Sequence, residues 1–470
     1  MNKISLGAFI GMTMALCATV RSIPTLAAAG WLQITYLLFS IICFAWPVTA
    51  IAGELSTMLQ GEGGPQLWVK EGLGERWGLV TAWLLWTMMF AGMVMVATGL
   101  WPMLCNTFGR PDLSGDTIYS MVCIFILYWL ITILNLKFNM AKFGGNIGVW
   151  FGVYIPVVVL FVMGLATSIK IGLNPAGYLG TFSVDKLIPN VADMSSLKYL
   201  VSIAFIFTGI EISSVYIPQL KDAVNNYPKG LMASLLGLVL LNIANGLLVS
   251  NIVPNGTLEL ANIAQPILIE CQLLGLPTII ANIFAFMVFL GVLLQLSAWV
   301  TGPARAMTQV AKEGLLPANW GFHKVNKFGV STNVVLIQSV FISLFTLLYV
   351  IIGDVNAVFL VLTNVTAIVY SIAYIFIAIV VVKLRYERPG VVRPYRIGKS
   401  GNGLAILYAI LLIGSIVGMT AATLMTTAMF DRMIIIGISI VLFIMPLVIY
   451  ANRSPLWKSK VEADLKDIKQ

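Results

Sequence analysis

The sequence predicts an all-α, polytopic membrane protein, and three observations carry that prediction. Of the 470 residues, 59% are hydrophobic and only 10% are charged, against about 25% charged in a soluble domain. A water-soluble fold cannot hide that much apolar surface. The apolar residues also fall into runs of about 20 or more, the length that crosses a bilayer core as a helix. Charges gather in the short segments between those runs.

Twelve spans can be placed in order, at about 5–30, 34–58, 77–104, 116–136, 146–169, 196–218, 230–253, 278–310, 331–352, 356–384, 403–426 and 432–451. The polar stretch 452–470 follows as a tail, either a short surface helix or disordered. The N-terminal apolar run is long and continues into a second one, unlike a cleavable signal peptide. Five cysteines, Cys17, Cys43, Cys105, Cys123 and Cys271, are an odd set lying mostly inside apolar runs. They read as small packing residues rather than a disulfide framework.

An even number of spans puts both termini on one side. Lys70, Arg76, Lys137, Lys142, Lys221, Lys229, Lys312, Lys324 and Lys327 share that side, as does the basic run from Lys383 through Arg385, Arg388, Arg393 and Arg396 to Lys399. The other side holds Arg110, Lys170, Lys186, Lys198 and Arg432. The positive-inside rule then makes both termini cytoplasmic. The formal charge of +9 is mostly topology, which argues against a nucleic-acid partner and for the lipid bilayer.

Two charges break the apolar pattern. Arg21 is the only one between Lys3 and Glu54, and Glu211 the only one between Lys198 and Lys221. A charge at mid-bilayer costs roughly 2.5–3.5 kcal/mol on insertion scales, so each calls for a partner, water or a substrate. Each also stands beside a helix breaker. In span 1, Ala18-Thr19-Val20-Arg21-Ser22-Ile23-Pro24 should kink or unwind just before Pro24. In span 6, Thr208-Gly209-Ile210-Glu211-Ile212-Ser213-Ser214 is weakened at Gly209, with hydroxyls able to satisfy freed backbone groups. The breaks are five spans apart, the spacing of an inverted five-plus-five repeat. Paired interruptions of this kind point to a transport site, although Gly and Pro also kink membrane helices without functional meaning.

Four stretches resemble the amino acid–polyamine–organocation superfamily over nearly the whole chain. They are Ile23-Pro24-Thr25-Leu26-Ala27-Ala28-Ala29-Gly30; Gly53-Glu54-Leu55 through Gly61-Glu62-Gly63-Gly64-Pro65; Gly209-Ile210-Glu211 with Asn225-Asn226-Tyr227-Pro228; and Trp299-Val300-Thr301-Gly302-Pro303-Ala304-Arg305 followed by Gly314-Leu315-Leu316-Pro317 and Gly329-Val330. The last is most similar to the bacterial glutamate:GABA antiporter branch, which exchanges an amino acid for its decarboxylated amine. The family's first helix usually carries a Gly-Ser-Gly type interruption, where this chain has Ala18-Thr19-Val20.

The resemblance implies a LeuT-like fold of 12 helices with spans 1 and 6 broken. It implies one transporter domain over 1–451, with repeats at about 5–169 and 196–384 followed by spans 11 and 12, and a cytoplasmic tail over 452–470. It places the protein in the bacterial plasma (inner) membrane. No metal or organic cofactor is implied. A cytoplasmic decarboxylase is implied as a functional partner, and a homodimer is one assembly the sequence leaves open.

Residue by residue, Glu211 resembles the family's acidic residue in the broken sixth helix, which couples protonation or gate closure; it could equally be a structural partner of Arg21. Arg21 offers a planar fork for a carboxylate, with neutralising Glu211 and snorkelling as alternatives. Phe205 resembles the aromatic lid over a substrate ammonium, worth roughly 0.5–2 kcal/mol, or is a packing residue. Trp299 resembles a second aromatic below the site and is expected to be buried in the bundle. Thr19, Ser22, Thr208, Gly209, Ser213 and Ser214 are candidate lining, as are Asn364, Thr366 and Tyr370 in span 10. Such polar residues also serve merely to bond neighbouring helices. Glu54 belongs to an inner network that gates or couples, and Arg305 anchors the end of span 8. His323, the single histidine, lies in a loop with at most a weak pH role.

The expected function is exchange of an external amino acid for its internal amine by alternating access, with spans 1, 2, 6 and 7 as the rocking bundle. A proton-coupled uptake carrier is the alternative. Some superfamily members use a span-5 lysine in place of sodium, and residues 146–169 contain none. A channel should show a polar pore stripe or a carbonyl filter, and an enzyme an HExxH motif, a Cys/His cluster or a glycine-rich nucleotide loop; the sequence has neither kind of signal.

Overall fold

The computed structural model describes residues 4–17, 20–59, 64–138, 147–190, 194–398 and 400–467. Among them the regular structure is helical, apart from isolated bridges between Ile4 and Leu220 and between Gly177 and Pro254. Among the described residues eleven helices are long and apolar enough to cross a membrane: Leu32–Met58, Glu75–Thr107, Thr117–Phe138, Trp150–Ile171, Ser195–Ser213, Ala223–Ile252, Ile279–Lys312, Thr332–Ile352, Val355–Glu387, Gly403–Thr426 and Met429–Ala451. These are spans 2 to 12. Span 1 falls outside that set; its described residues form helix Leu6–Cys17, a 3-10 turn Val20–Ser22 and a short helix Ile23–Ala28. With it the fold is the expected twelve-span, all-helical one.

Both breaks have local causes. Pro24 sits in the first turn of the short helix, where a missing N–H is one of the amides left unpaired in any case. In span 6, helix Leu200–Ala204 tightens into a 3-10 turn, Phe205–Phe207; Thr208 is then extended and Gly209 takes φ +93°. That positive φ is cheap only for glycine. A 3-10 stretch, Ile210–Gln219, continues the span; runs this long are uncommon because the hydrogen-bond geometry is poorer than in an α-helix.

The chain forms two compact units, each discontinuous in sequence. The first comprises Met1–Thr81, Ile171–Gly256 and Tyr370–Ala428, and so holds spans 1, 2, 6, 7, 11 and the later part of span 10. The second comprises Ala82–Lys170, Thr257–Val369 and Met429–Gln470.

In the first unit the last turns of span 2 are clamped by charge. Glu54, almost fully buried, accepts from Nε of Arg385 at 2.8 Å, from Arg385 Nη2, and from the Ile397 amide at 2.8 Å. Arg393 Nε lies 3.2 Å away. Arg385 also donates to the Gly401 and Ile397 carbonyls, at 2.9 and 2.7 Å. One carboxylate thus ties the segment after span 10 to span 2. Beside it Gly53 admits an aromatic: a Cβ there would lie 2.5 Å from Tyr227 Cε1. Tyr227 packs edge-on against Tyr395 with centroids 5.2 Å apart and donates to the Thr49 carbonyl at 3.0 Å.

The second unit is built on close backbone approach and a buried polar cluster. A Cβ on Gly291 would fall 2.1 Å from the Gly152 amide nitrogen, so span 8 meets span 5 through paired glycines, as membrane helices without a hydrophobic driving force tend to do. Gln338 accepts from Trp86 Nε1 at 3.0 Å and donates to Tyr128 Oη at 3.2 Å. The tail is helical over Pro455–Asp467, and Val461 is buried. Asp464 accepts from His323 Nε2 at 2.9 Å and pairs with Lys324 at 3.0 Å. His323 is therefore a buried docking residue for the tail, where the sequence shows only a loop histidine.

Glu54→Ala should destabilise the protein by about 3–5 kcal/mol, because it strands two guanidiniums in a dry site; a detergent-solubilised melt that matches wild type would refute the clamp. His323 and Lys324 hold the Asp464 carboxyl below its usual range. A depressed acid stabilises above its unfolded pKa of about 3.9 and stops doing so as pH falls through its folded value. The tail should stay docked from neutral pH down to about 4 and release below that, which limited proteolysis of residues 455–467 across a pH series would show.

Candidate functional site

The break in span 6 is a polar site assembled on Glu211. Its side chain is fully buried, so both carboxylate oxygens need partners. Span 10 supplies them. Tyr370 Oη donates to Oε1, and Tyr374 Oη donates to Oε2 at 2.8 Å. The same Tyr374 hydroxyl accepts the Gly209 N–H at 3.1 Å. A chain of bonds therefore runs from a backbone amide at the helix break, through one phenol, to the carboxylate. The two rings stack with centroids 4.7 Å apart, and Phe44 meets Tyr374 edge-on at 5.3 Å. Tyr370 and Tyr374 are four residues apart and so share one face of span 10.

The Gly209 amide is met by Tyr374 of span 10. Ser213 is fully buried. A phenol from a neighbouring helix reaches both the amide and the carboxylate.

The other sequence candidates are distributed as follows. Arg21 lies on the 3-10 turn that leads into the short helix Ile23–Ala28 of span 1 and is half-buried, as is Ser22. Phe205 opens the 3-10 turn before the span-6 break and, with Thr208 and Gly209, is half-buried. Thr19 lies outside the described residues, and so does the side chain of Ser214. Of the span-2 motif, Gly61-Glu62-Gly63 likewise lies outside them. Arg21, Phe205, Thr208, Gly209, Glu211, Ser213 and Tyr370 all belong to the first unit, and so does Glu54 with its arginines.

Trp299 and Asn364 belong to the second unit. Trp299, expected to be buried, is 40% exposed. At 100° per residue it points about 200° away from Ser297 and Thr301, which are buried and bond back to the Leu294 and Ala298 carbonyls. Burying the two hydroxyls turns the indole to the opposite face. Asn364 is buried with its Oδ1 unpartnered among the described residues, and Thr366 bonds its own helix at the Leu362 carbonyl. Arg305 reaches the Phe328 carbonyl at 3.4 Å, consistent with an anchor for the end of span 8. The pairing of Tyr370 with Tyr374 is legible only in part: the i, i+4 spacing is in the sequence, but the carboxylate it meets is not. Among the described residues no group of three or more His, Cys, Asp and Glu is placed to hold a metal ion.

Two interrupted spans and a buried acid at one interruption are features of substrate carriers, and the similarity to known proteins decides which kind. Residues 4–451 match the amino acid permease family. The chain belongs to that family. It is thus a membrane transporter of the amino acid permease type and not an enzyme. The permease is 28% identical over 422 residues to a glutamate/gamma-aminobutyrate antiporter of Lactococcus lactis, covering 87% of this chain and 81% of that one. It is 27% identical over 411 residues to an uncharacterized transporter of Legionella pneumophila, covering 85% and 86%. A probable agmatine/putrescine antiporter of Lactococcus lactis is 21% identical over 420 residues, covering 88% and 86%.

Tyr374→Phe in the permease removes the hydroxyl shared by Gly209 and Glu211. It should cost about 1–3 kcal/mol, the penalty for leaving a buried polar group unpaired. The readout is the thermal midpoint in detergent, and an unshifted midpoint would show that neither group relies on that phenol.

Proposed function

We propose that the permease exchanges an external amino acid for the internal amine made from it by decarboxylation. The observation that carries this reading is the pair of broken spans within one compact unit, with Glu211 buried at the second break. Half-helix ends present unpaired amides to a carboxylate and carbonyls to a cation, so an amino acid and its amine share the ammonium subsite and differ at the carboxylate. Similarity to relatives named as glutamate/gamma-aminobutyrate and agmatine/putrescine antiporters supports exchange over one-way uptake. Phe205 would cover the ammonium. Arg21 would hold the carboxylate. Glu211, bridged by two phenols, would couple protonation or gate closure to the break, and Glu54 with its arginines would steady the inner end of span 2.

Alternating access would follow from rocking of the bundle of spans 1, 2, 6 and 7, which opens the site to each side of the membrane in turn. The basic loops on the side of the termini support an orientation in the bacterial inner membrane with both termini cytoplasmic. Coupling to a cytoplasmic decarboxylase would make each cycle consume an internal proton. The alternative is proton-coupled amino acid uptake, with Glu211 as the proton carrier.

Proteoliposomes separate the two. Labelled amino acid should enter only vesicles preloaded with amino acid or amine; equal uptake into empty vesicles would sink the exchange reading. Arg21→Ala should raise KM for the amino acid by roughly 10- to 100-fold, the value of a charge-assisted hydrogen bond of about 1.5–3 kcal/mol, with KM for the amine little changed. Equal losses for both substrates would remove Arg21 from the carboxylate subsite.

A further inference from the structure

Between spans 7 and 8 lies the helix Ala264–Leu274, which is not one of the membrane-crossing helices. Its inward face is Ala264, Pro266, Ile267, Glu270 and Cys271. All but Glu270 are apolar or nearly so. Glu270 is 0% exposed, and neither of its carboxylate oxygens has a hydrogen-bond partner among the described residues. Nearly every buried polar group in a folded protein is satisfied, so one with two orphaned oxygens calls for an explanation.

Among the described residues the surroundings offer no cation to neutralise it. This helix packs on Leu100–Thr107 and on span 8, whose Ala281 backbone meets Cys271. The first of these, Leu-Trp-Pro-Met-Leu-Cys-Asn-Thr, carries no charged residue, and neither does span 8 from Ile279 through Phe286. Besides Glu270, the titratable side chains on the helix, on Leu100–Thr107 and on that stretch of span 8 are Cys271 and Cys105; Arg305 and Lys312 lie at the far end of span 8. Asp112, Glu259 and Arg110 in the flanking loops act on Cys105. Lys170, the cation that touches the helix, donates to the Leu273 carbonyl at 2.9 Å. Burial is the sole cause acting on the Glu270 carboxyl and pushes it up to about 9. An ionised carboxylate in this place would be uncompensated, so the packed helix requires the neutral acid.

We propose that Glu270 is a proton-binding site that operates this helix, which packs when the carboxyl is protonated and comes away when the proton leaves. Release breaks the carboxyl O–H bond, passes the proton to water and leaves a carboxylate that draws the helix toward solvent. Seven spans separate the helix from the N-terminus, so the site samples the pH on the side of the membrane opposite the termini. The inference rests on the twelve-span fold and is independent of which substrates are exchanged. The sign follows from the raised acid. The packed state gains stability as pH falls toward the unfolded carboxyl value of about 4.3 and loses it as pH rises from there toward 9.

Hydrogen exchange on the purified full-length permease tests this. After correction for intrinsic rates, protection of the Ala264–Leu274 amides should fall by up to about tenfold per pH unit between about pH 6 and 8. Glu270→Gln, neutral at every pH and of the same shape, should hold that protection flat. Flat protection in the wild type, or the same slope in the Gln variant, would overturn the proposal. The wild-type arm decides even if the variant does not fold. In vesicles, the dependence of transport on external pH should flatten in Glu270→Gln, and an unchanged profile counts against the proposal. Failure of exchange itself, seen as uptake into empty vesicles, leaves the hydrogen-exchange outcome unaffected and so separates the two readings.

Discussion

Inside a bilayer a backbone amide has no water to bond, and this one constraint organises the molecule. It forces the spans into helices and leaves at every interruption a polar group that some other residue must satisfy. At Gly209 the partner is visible. The left-handed turn frees an amide, and the Tyr374 hydroxyl takes it up while donating to Glu211. The break, the buried acid and the paired tyrosines are one arrangement, in which removing any member leaves another without a partner.

The same logic governs the charged residues. Glu54 is tolerated in a dry place because two guanidiniums and a backbone amide converge on it. Glu211 is tolerated because two phenols do. Glu270 has no such company among the described residues, and a neutral acid is what its surroundings admit. The three buried carboxyls among the described residues thus meet three different solutions: ion pairing, hydrogen bonding by neutral donors, and protonation. The first builds a rigid joint. The second holds the acid by hydroxyls alone. The third responds to pH.

Much of this is legible from residues alone. Glu211 and Arg21 stand out because they interrupt apolar runs, and Gly209 and Pro24 mark the breaks beside them. Glu54 reads as part of an inner network, and Arg385 and Arg393 turn out to be its partners. Other features are hidden. Tyr374 lies 163 residues from Glu211 along the chain, and an aromatic in an apolar span has no sequence signature of its role. His323 looks like a loop residue until the tail helix closes over it. Trp299 reads as buried when its neighbours Ser297 and Thr301 set the expectation, and the face each residue occupies on the helix puts the indole on the other side.

The sequence by itself determined the class, the number of spans and the places where two of them fail. These follow from local properties: apolar length, the φ freedom of glycine, the missing amide of proline and the rarity of charge. The tertiary structure alone decided what meets each exposed polar group, because hydrogen-bond partners are chosen by three-dimensional proximity between spans far apart in the chain. Composition could say that Glu211 must have partners; only the packing of span 10 could say that they are tyrosines.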